Sequence, residues 1–274
     1  MTDAPTPLLE LDGIAKHYGG LQALDGISLR ADGGQVVALL GDNGAGKSTL
    51  LKVLSGAETA DGGRVLIRGR EAHLRSPRDA EALGIEMVYQ DLALVGTLDA
   101  ASNLHLGREP TRGGVLGRLG FLDRARMRAL TLEQMRELGV SRISMRRTVT
   151  MLSGGQRQAI AIARATSRGG GAADGDRILL LDEPTAALGV AQQRRVIELI
   201  ETLRQRGMLV IVISHDLPAC FEVADRLIVL RQGRKVADVV TPSTSMPEVV
   251  GWITGAAGPE AVATAGEAAA GGAA

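Results

Sequence analysis

The stretch VVALLGDNGAGKSTLLKVLSG, residues 36–56, constrains this chain more than any other. It begins with an apolar run, Val36–Leu40, of the kind a strand buried on both faces requires. It continues with Leu50, Val53 and Leu54 at the spacing of one helix face, which Gly56 stops. Between strand and helix, Gly41 to Ser48 fit the pattern G-x-x-x-x-G-K-[ST]. Gly41, Gly44 and Gly46 let the backbone curl so that successive N–H groups point at one anion. The helix that follows adds its positive dipole end. Lys47 then neutralises β- and γ-phosphates, and Ser48 offers a hydroxyl to Mg²⁺. The run from Gly41 to Thr49, with Asp42, Asn43 and Ala45 inside it, is therefore expected to hold a nucleoside triphosphate. The plain alternative is an ordinary glycine-rich turn.

Further apolar strands follow at IEMVY (85–89), ILLLD (178–182) and LVIVIS (209–214). Continuous rather than alternating apolarity implies burial on both faces, hence a largely parallel sheet flanked by helices. Residues 188–207 supply a crossover helix with Val196, Leu199, Ile200 and Leu203 on one side. The N-terminal segment and RVLIRGR read instead as short alternating strands of an antiparallel sheet, and RLIVLRQGRKVADVV as a hairpin around Gln232-Gly233. Strand signals are nearly absent between Gln90 and Leu152, where DRARMRALTLEQMRELG is helical. An α-helical subdomain inserted at about 91–165 into an α/β domain spanning 1–255 is expected. The alanine- and glycine-rich residues 256–274 read as a disordered tail, and SRGGGAADGDR (167–177) as a floppy surface loop.

Lys+Arg and Asp+Glu number 31 each, which argues against a nucleic-acid partner read through a basic surface. The one cysteine, Cys220, excludes an intramolecular disulfide and reads as a small buried apolar residue. The N-terminus lacks the features of a signal peptide, and the apolar runs are strand-length, well under the ~18 residues of a membrane span. A soluble chain, with any membrane role through a partner, is expected.

ILLLDEP carries the second piece of chemistry. Asp182 ends a buried strand, where a carboxylate is costly unless it meets a cation, and Mg²⁺ held against ATP is such a cation. Glu183, facing the other way, is placed to polarise water at the γ-phosphate. A strand that merely exits into an acidic loop is the bland alternative.

The ordered set GDNGAGKST, VYQ, LSGGQ, LLLDEPTAALG and ISHD resembles the ATP-binding subunit of ABC transporters, from about Leu8 to about Gly255. The resemblance implies a P-loop NTPase (RecA-like) core with an N-terminal antiparallel β subdomain and the inserted helical one. It implies that Tyr18 stacks on adenine, that Gln90 approaches Mg²⁺ and water, and that His215 contacts the γ-phosphate. With Lys47 and Glu183, Gln90 and His215 form the expected catalytic set; Ser48, Gln90 and Asp182 form the expected metal set. Ser153, Gly154, Gly155 and Gln156 open a helix and, by resemblance, close over ATP held by a second chain. This implies a homodimer or a pairing with another ABC ATPase.

Finer features (SNLHLGREP, RRTVTMLSGGQRQAIAIARA, ITGA) resemble bacterial importers of ribose, xylose and fructose type. The implied partners are integral membrane permease subunits at the cytoplasmic face of the cell membrane and, indirectly, a periplasmic or extracellular sugar-binding protein. Gly189 departs from the aspartate that many relatives carry, although monosaccharide importers share it. Rival readings are another importer or exporter, a soluble regulatory ABC protein, and an ATP-binding module without catalysis. His17, His73, His105 and Trp252 read as surface or packing residues.

Overall fold

The computed structural model describes residues 6–140, 143–168 and 173–256. The expected tail, apart from Ala256, and residues 169–172 of the glycine-rich loop lie outside the described residues. Of the remaining loop, residues Asp174–Asp176 form a single 3-10 turn and Arg177 is buried beside Asp174, so this part is tied down rather than floppy.

The chain opens with a hairpin of β1 (Leu9–Tyr18) and β2 (Leu21–Ala31), followed by β3 (Val36–Leu40), α1 (Lys47–Leu54), β4 (Gly62–Ile67) and β5 (Arg70–Ala72). Next come α2 (Pro77–Ala82) and β6 (Ile85–Val88), then a helical stretch: α3 (Ala100–Leu104), α4 (Gly114–Arg118), α5 (Arg124–Glu137) and α6 (Gly154–Arg168). The chain returns through β7 (Ile178–Asp182), α7 (Val190–Gln205), β8 (Leu209–Ile213) and α8 (Leu217–Val223). It ends in the hairpin β9 (Arg226–Arg231) and β10 (Arg234–Val240) and in α9 (Met246–Thr254).

Two sheets result. One is antiparallel, in the order β2-β1-β4-β5; the other runs β10-β9-β3-β8-β7-β6, parallel except for β10. The central strands β3 and β8, and β7 as far as Leu181, are apolar throughout because both of their faces are covered. Val36, Ala38, Leu40, Leu179, Leu181, Val210 and Val212 point into one core with Ile160 and Ile162 of α6 and with Val196, Leu199, Ile200 and Leu203 of α7. The alternate residues Val37, Leu39, Ile178, Leu180, Ile211 and Ile213 point into a second core. There they meet Leu50, Leu51 and Leu54 of α1 and Leu9, Leu11, Ile14, Leu24 and Ile27 of the antiparallel sheet. Each valine, leucine or isoleucine among them contributes about 1.5–3 kcal/mol by its burial. The antiparallel sheet therefore lies against the same face as α1, and the helical stretch against the other.

The closing hairpin is fastened by a buried carboxylate. Asp238 is 1% exposed and accepts from Arg226 Nε (2.5 Å) and Lys235 Nζ (2.7 Å). Burial alone pushes this carboxyl up, but the two cationic donors outweigh it and hold it below the usual carboxylate range. The turn itself uses left-handed backbone at Gln232 and Gly233, as a tight two-residue connection needs.

Candidate functional site

Parallel pairing sets the loops that follow β6, β7, β8 and β3 side by side at one edge of the sheet. Val88 lies opposite Leu181, Asp182 opposite Ile213, and Ile213 opposite Leu39. With neighbouring strands about 4.8 Å apart, the loop after β3 and the acidic end of β7 are about 10 Å from each other, with His215 between them in strand order. Ligands of open α/β sheets bind at this carboxyl edge.

The loop after β3 is built to leave its backbone exposed to a ligand. Gly41 has φ 145°, and a Cβ there would sit 2.2 Å from the carbonyl oxygen of Leu230. Gly46 has φ 104°, and its Cβ would lie 2.7 Å from the carbonyl of Ala23. Both hairpins thus close on the loop, and only glycine fits. The amide of Gly233 donates to the carbonyl of Ala45 (3.0 Å), and the amide of Asp25 to that of Gly233 (2.8 Å). The amide of Asn43 donates to Asp42 Oδ1 (2.8 Å). Lys47, the first residue of α1, folds its ammonium back onto the carbonyls of Gly41 (2.7 Å) and Asp42 (2.9 Å). Burial draws the Lys47 ammonium below its ordinary value, against the opposing pull of Glu183, Asp42 and Asp182.

Asp182 and Glu183 leave β7 next to this lysine. Burial pushes the Asp182 carboxyl up, reinforced by Glu183 and offset by Lys47 and Lys52. Glu183 takes left-handed backbone, φ 50°, while its amide still donates to the carbonyl of Ile213 (2.9 Å). Its Oε1 lies 2.9 Å from Nδ1 of His215, whose side chain is 71% exposed. Gln90 is exposed beyond β6; with Glu183, Gly154, Arg157 and Leu188 it lines a cleft of about 510 Å³ between the helical stretch and the sheet.

The LSGGQ segment caps a helix by reciprocal bonding. The amide of Gln156 donates to Ser153 Oγ (3.3 Å) and the amide of Ser153 donates to Gln156 Oε1 (3.0 Å), a capping box at the start of α6. Its glycines also have a local reason that sequence reading did not supply. A Cβ on Gly154 would sit 2.6 Å from Leu188 and one on Gly155 3.3 Å from Gln192, so the two helix starts press together there.

Tyr18 ends β1 and is 41% exposed. Burial, reinforced by the charge of Glu58 and offset by Lys16, pushes the Tyr18 hydroxyl above its ordinary value. Lys16, Glu58 and Asp61 around it gave no sequence signal, since Asp61 reads as an ordinary turn residue in ETADGG. Cys220 is buried and its thiol is pushed up to about 12 by burial, so it stays out of the chemistry. Trp252 is buried and His73 exposed, as packing and surface residues are.

A strand, a glycine loop, a lysine-headed helix and an acid-tipped neighbouring strand define a P-loop nucleoside triphosphatase. The family model described as ABC transporter matches residues 24–186. The chain is 43% identical to the fructose import ATP-binding protein FrcA of Rhizobium meliloti, over 95% of this chain and 99% of that protein. It is 40% identical to the xylose/arabinose import ATP-binding protein XylG of Sulfolobus acidocaldarius, over 90% and 94%. Against the ribose import ATP-binding protein RbsA 1 of Rubrobacter xylanophilus the identity is 42%, over 85% of this chain and 44% of that longer protein. Among solved structures, the ADP conformation of the ATP-binding cassette MJ1267 superposes with a TM-score of 0.75 at 25% identity, covering 91% of this chain and 99% of that one. The dimeric post-hydrolysis cassette MJ0796, bound to ADP and Pi, gives 0.66 at 25% identity, covering 85% and 98%. The chain belongs to the ABC transporter family and is an ATP-binding, ATP-hydrolysing cassette.

Proposed function

We propose that the chain is the ATPase subunit of a membrane importer for a monosaccharide, working as one of a pair of cassettes beneath integral permease subunits at the cytoplasmic face of the membrane. An extracytoplasmic sugar-binding protein would deliver the substrate. The observation that carries the reading is the match in both directions, along nearly the whole of each chain, with a fructose import protein whose activity the geometry here can perform. In agreement with a peripheral subunit, no helix among the described residues is long and apolar enough to cross a membrane.

The glycine loop from Gly41 to Thr49 takes the phosphates, and Lys47 exchanges its bonds to the loop carbonyls for bonds to phosphate oxygens. Ser48 and Asp182 are hard oxygen donors suited to Mg²⁺, with Gln90 approaching the same ion. Among the described residues no three His, Cys, Asp or Glu side chains converge as a metal cage. Oxygen donors of this kind suit Mg²⁺, which is held by one or two carboxylates beside substrate phosphates and keeps several waters. When bound, the ion supplies charge neutralisation across the β- and γ-phosphates. Glu183 orients and deprotonates the attacking water, and His215, already in contact with Glu183, reaches the γ-phosphate side. Tyr18 receives the base. Ser153, Gly154, Gly155 and Gln156 close over nucleotide on the opposite chain.

Reconstitution with its permease in liposomes tests the reading. Uptake of a monosaccharide that requires ATP on the side of this subunit is expected; ATP-dependent efflux, or uptake of amino acids instead, would overturn it.

A further inference from the structure

Phosphate binding is explained by the glycine loop, but the base subsite has its own support. Lys16 and Tyr18 are two residues apart on β1 and so share a face. The Lys16 ammonium lies over the Tyr18 ring, 5.6 Å from its centroid. That ammonium is itself held, donating to the carbonyl of Thr59 (2.7 Å) and to Asp61 Oδ1 (3.1 Å). The second oxygen of Asp61 accepts from the backbone amide of His17 (2.7 Å). The pairing of β1 with β2 slips between Lys16 and His17, so Asp61 bonds the strand where its register is irregular. Irregularities of this kind re-aim the side chains beyond them.

We propose that Lys16 and Asp61 are positioning residues of the nucleotide-base subsite: Asp61 fixes both the irregular strand end and the Lys16 ammonium, and Lys16 covers one face of Tyr18 so that the other face is presented to a purine. A cation on one face draws on the ring quadrupole and favours an electron-rich purine stacked on the opposite face. Stacking engages the face of a base and not its edge, so the ligand class is a purine nucleotide rather than adenine alone. The inference rests on Tyr18 being the residue that stacks on the base.

Binding of Mg·ATP, Mg·GTP and inorganic tripolyphosphate to the full chain, measured by calorimetry beside the melting temperature, tests it. Lys16→Met and Asp61→Asn should each weaken ATP and GTP by about 2–5-fold, the worth of a modest cation–π contact, and leave tripolyphosphate within about 1.5-fold. Lys16→Arg should restore both nucleotides. A general loss of structure would weaken tripolyphosphate as well, and that outcome would overturn the proposal. So would ATP binding at native strength in both variants. Tyr18→Ala separates the two readings. If it weakens ATP while Lys16→Met and Asp61→Asn do not, base stacking stands and the positioning role falls; if it has no effect, both fall.

Discussion

Glu183 sits at φ 50°, a conformation that a residue with a long side chain adopts at a cost of order 1–3 kcal/mol. The strain is held from both sides, by its amide on the carbonyl of Ile213 and by its carboxylate against His215. The effect is to swing the carboxylate out of β7, away from the direction of Asp182 and toward the neighbouring strand end. A glutamine would preserve the oxygen that faces His215 and the backbone bond, while losing the capacity to accept a proton. Glu183→Gln is therefore expected to bind ATP as well as the native chain and to hydrolyse it about 10²–10⁴-fold more slowly. Equilibrium binding beside phosphate release is the measurement, and native turnover would remove Glu183 from its role. The sequence announces this carboxylate through ILLLDEP, yet not its backbone conformation, because φ is set by pairing with β8 and not by residue type.

Gly189 and Asp238 are best understood through their elements. Gly189 precedes α7 at ordinary φ (−73°), and a Cβ there would meet nothing within 4 Å. Gly189→Asp should therefore fold without strain and cap α7, raising stability by a few tenths of a kcal/mol. A melting curve and an ATPase rate check it; a drop in melting temperature would show that the loop needs glycine.

Asp238 fastens the hairpin whose turn residue Gly233 bonds the phosphate loop at Ala45. Its carboxyl is held below the ordinary range, so its contribution is complete above the unfolded-state value and disappears as pH falls through the folded-state value. Asp238→Asn should cost about 3 kcal/mol at neutral pH, since Arg226 and Lys235 lose their counter-charge, lowering Tm by roughly 6–12 °C. Melting curves across pH should show this gap narrowing as the native carboxylate is titrated in acid. A gap independent of pH would mean packing, not charge, fastens the hairpin. The hairpin was legible from Gln232-Gly233, whereas its buried aspartate was not. In KVADVV the charged residue sits at an ordinary strand position, and only the three-dimensional approach of Arg226 and Lys235 makes its burial tolerable.

At the scale of the whole molecule, the parts legible in sequence are those where one chemical demand dictates residue type locally. A glycine loop, an acid-tipped apolar strand and a helix-opening serine can each be read without neighbours. Of the base subsite only Tyr18 could be named, by resemblance; the support behind it could not, because it joins β1 to the turn before β4 and no single segment carries it. A similar non-locality bears on the LSGGQ helix, whose start is capped by its own Gln156 and pressed against Gln192 of α7. The proposed service of that helix start to a partner's nucleotide, and not to its own chain's, has a direct test. Two inactive variants decide it. Glu183→Gln lacks the base but keeps Ser153; Ser153→Arg keeps the base but blocks the helix start. If each site takes Glu183 from one chain and Ser153 from the other, a mixed pair holds one complete site. Equal mixing should then recover about a quarter of native turnover, as half the pairs are mixed and each has one site of two. If Ser153 serves its own chain, every site in the mixture remains incomplete and no activity returns. Phosphate release by the mixture, against either variant alone at the same total concentration, reads the difference directly.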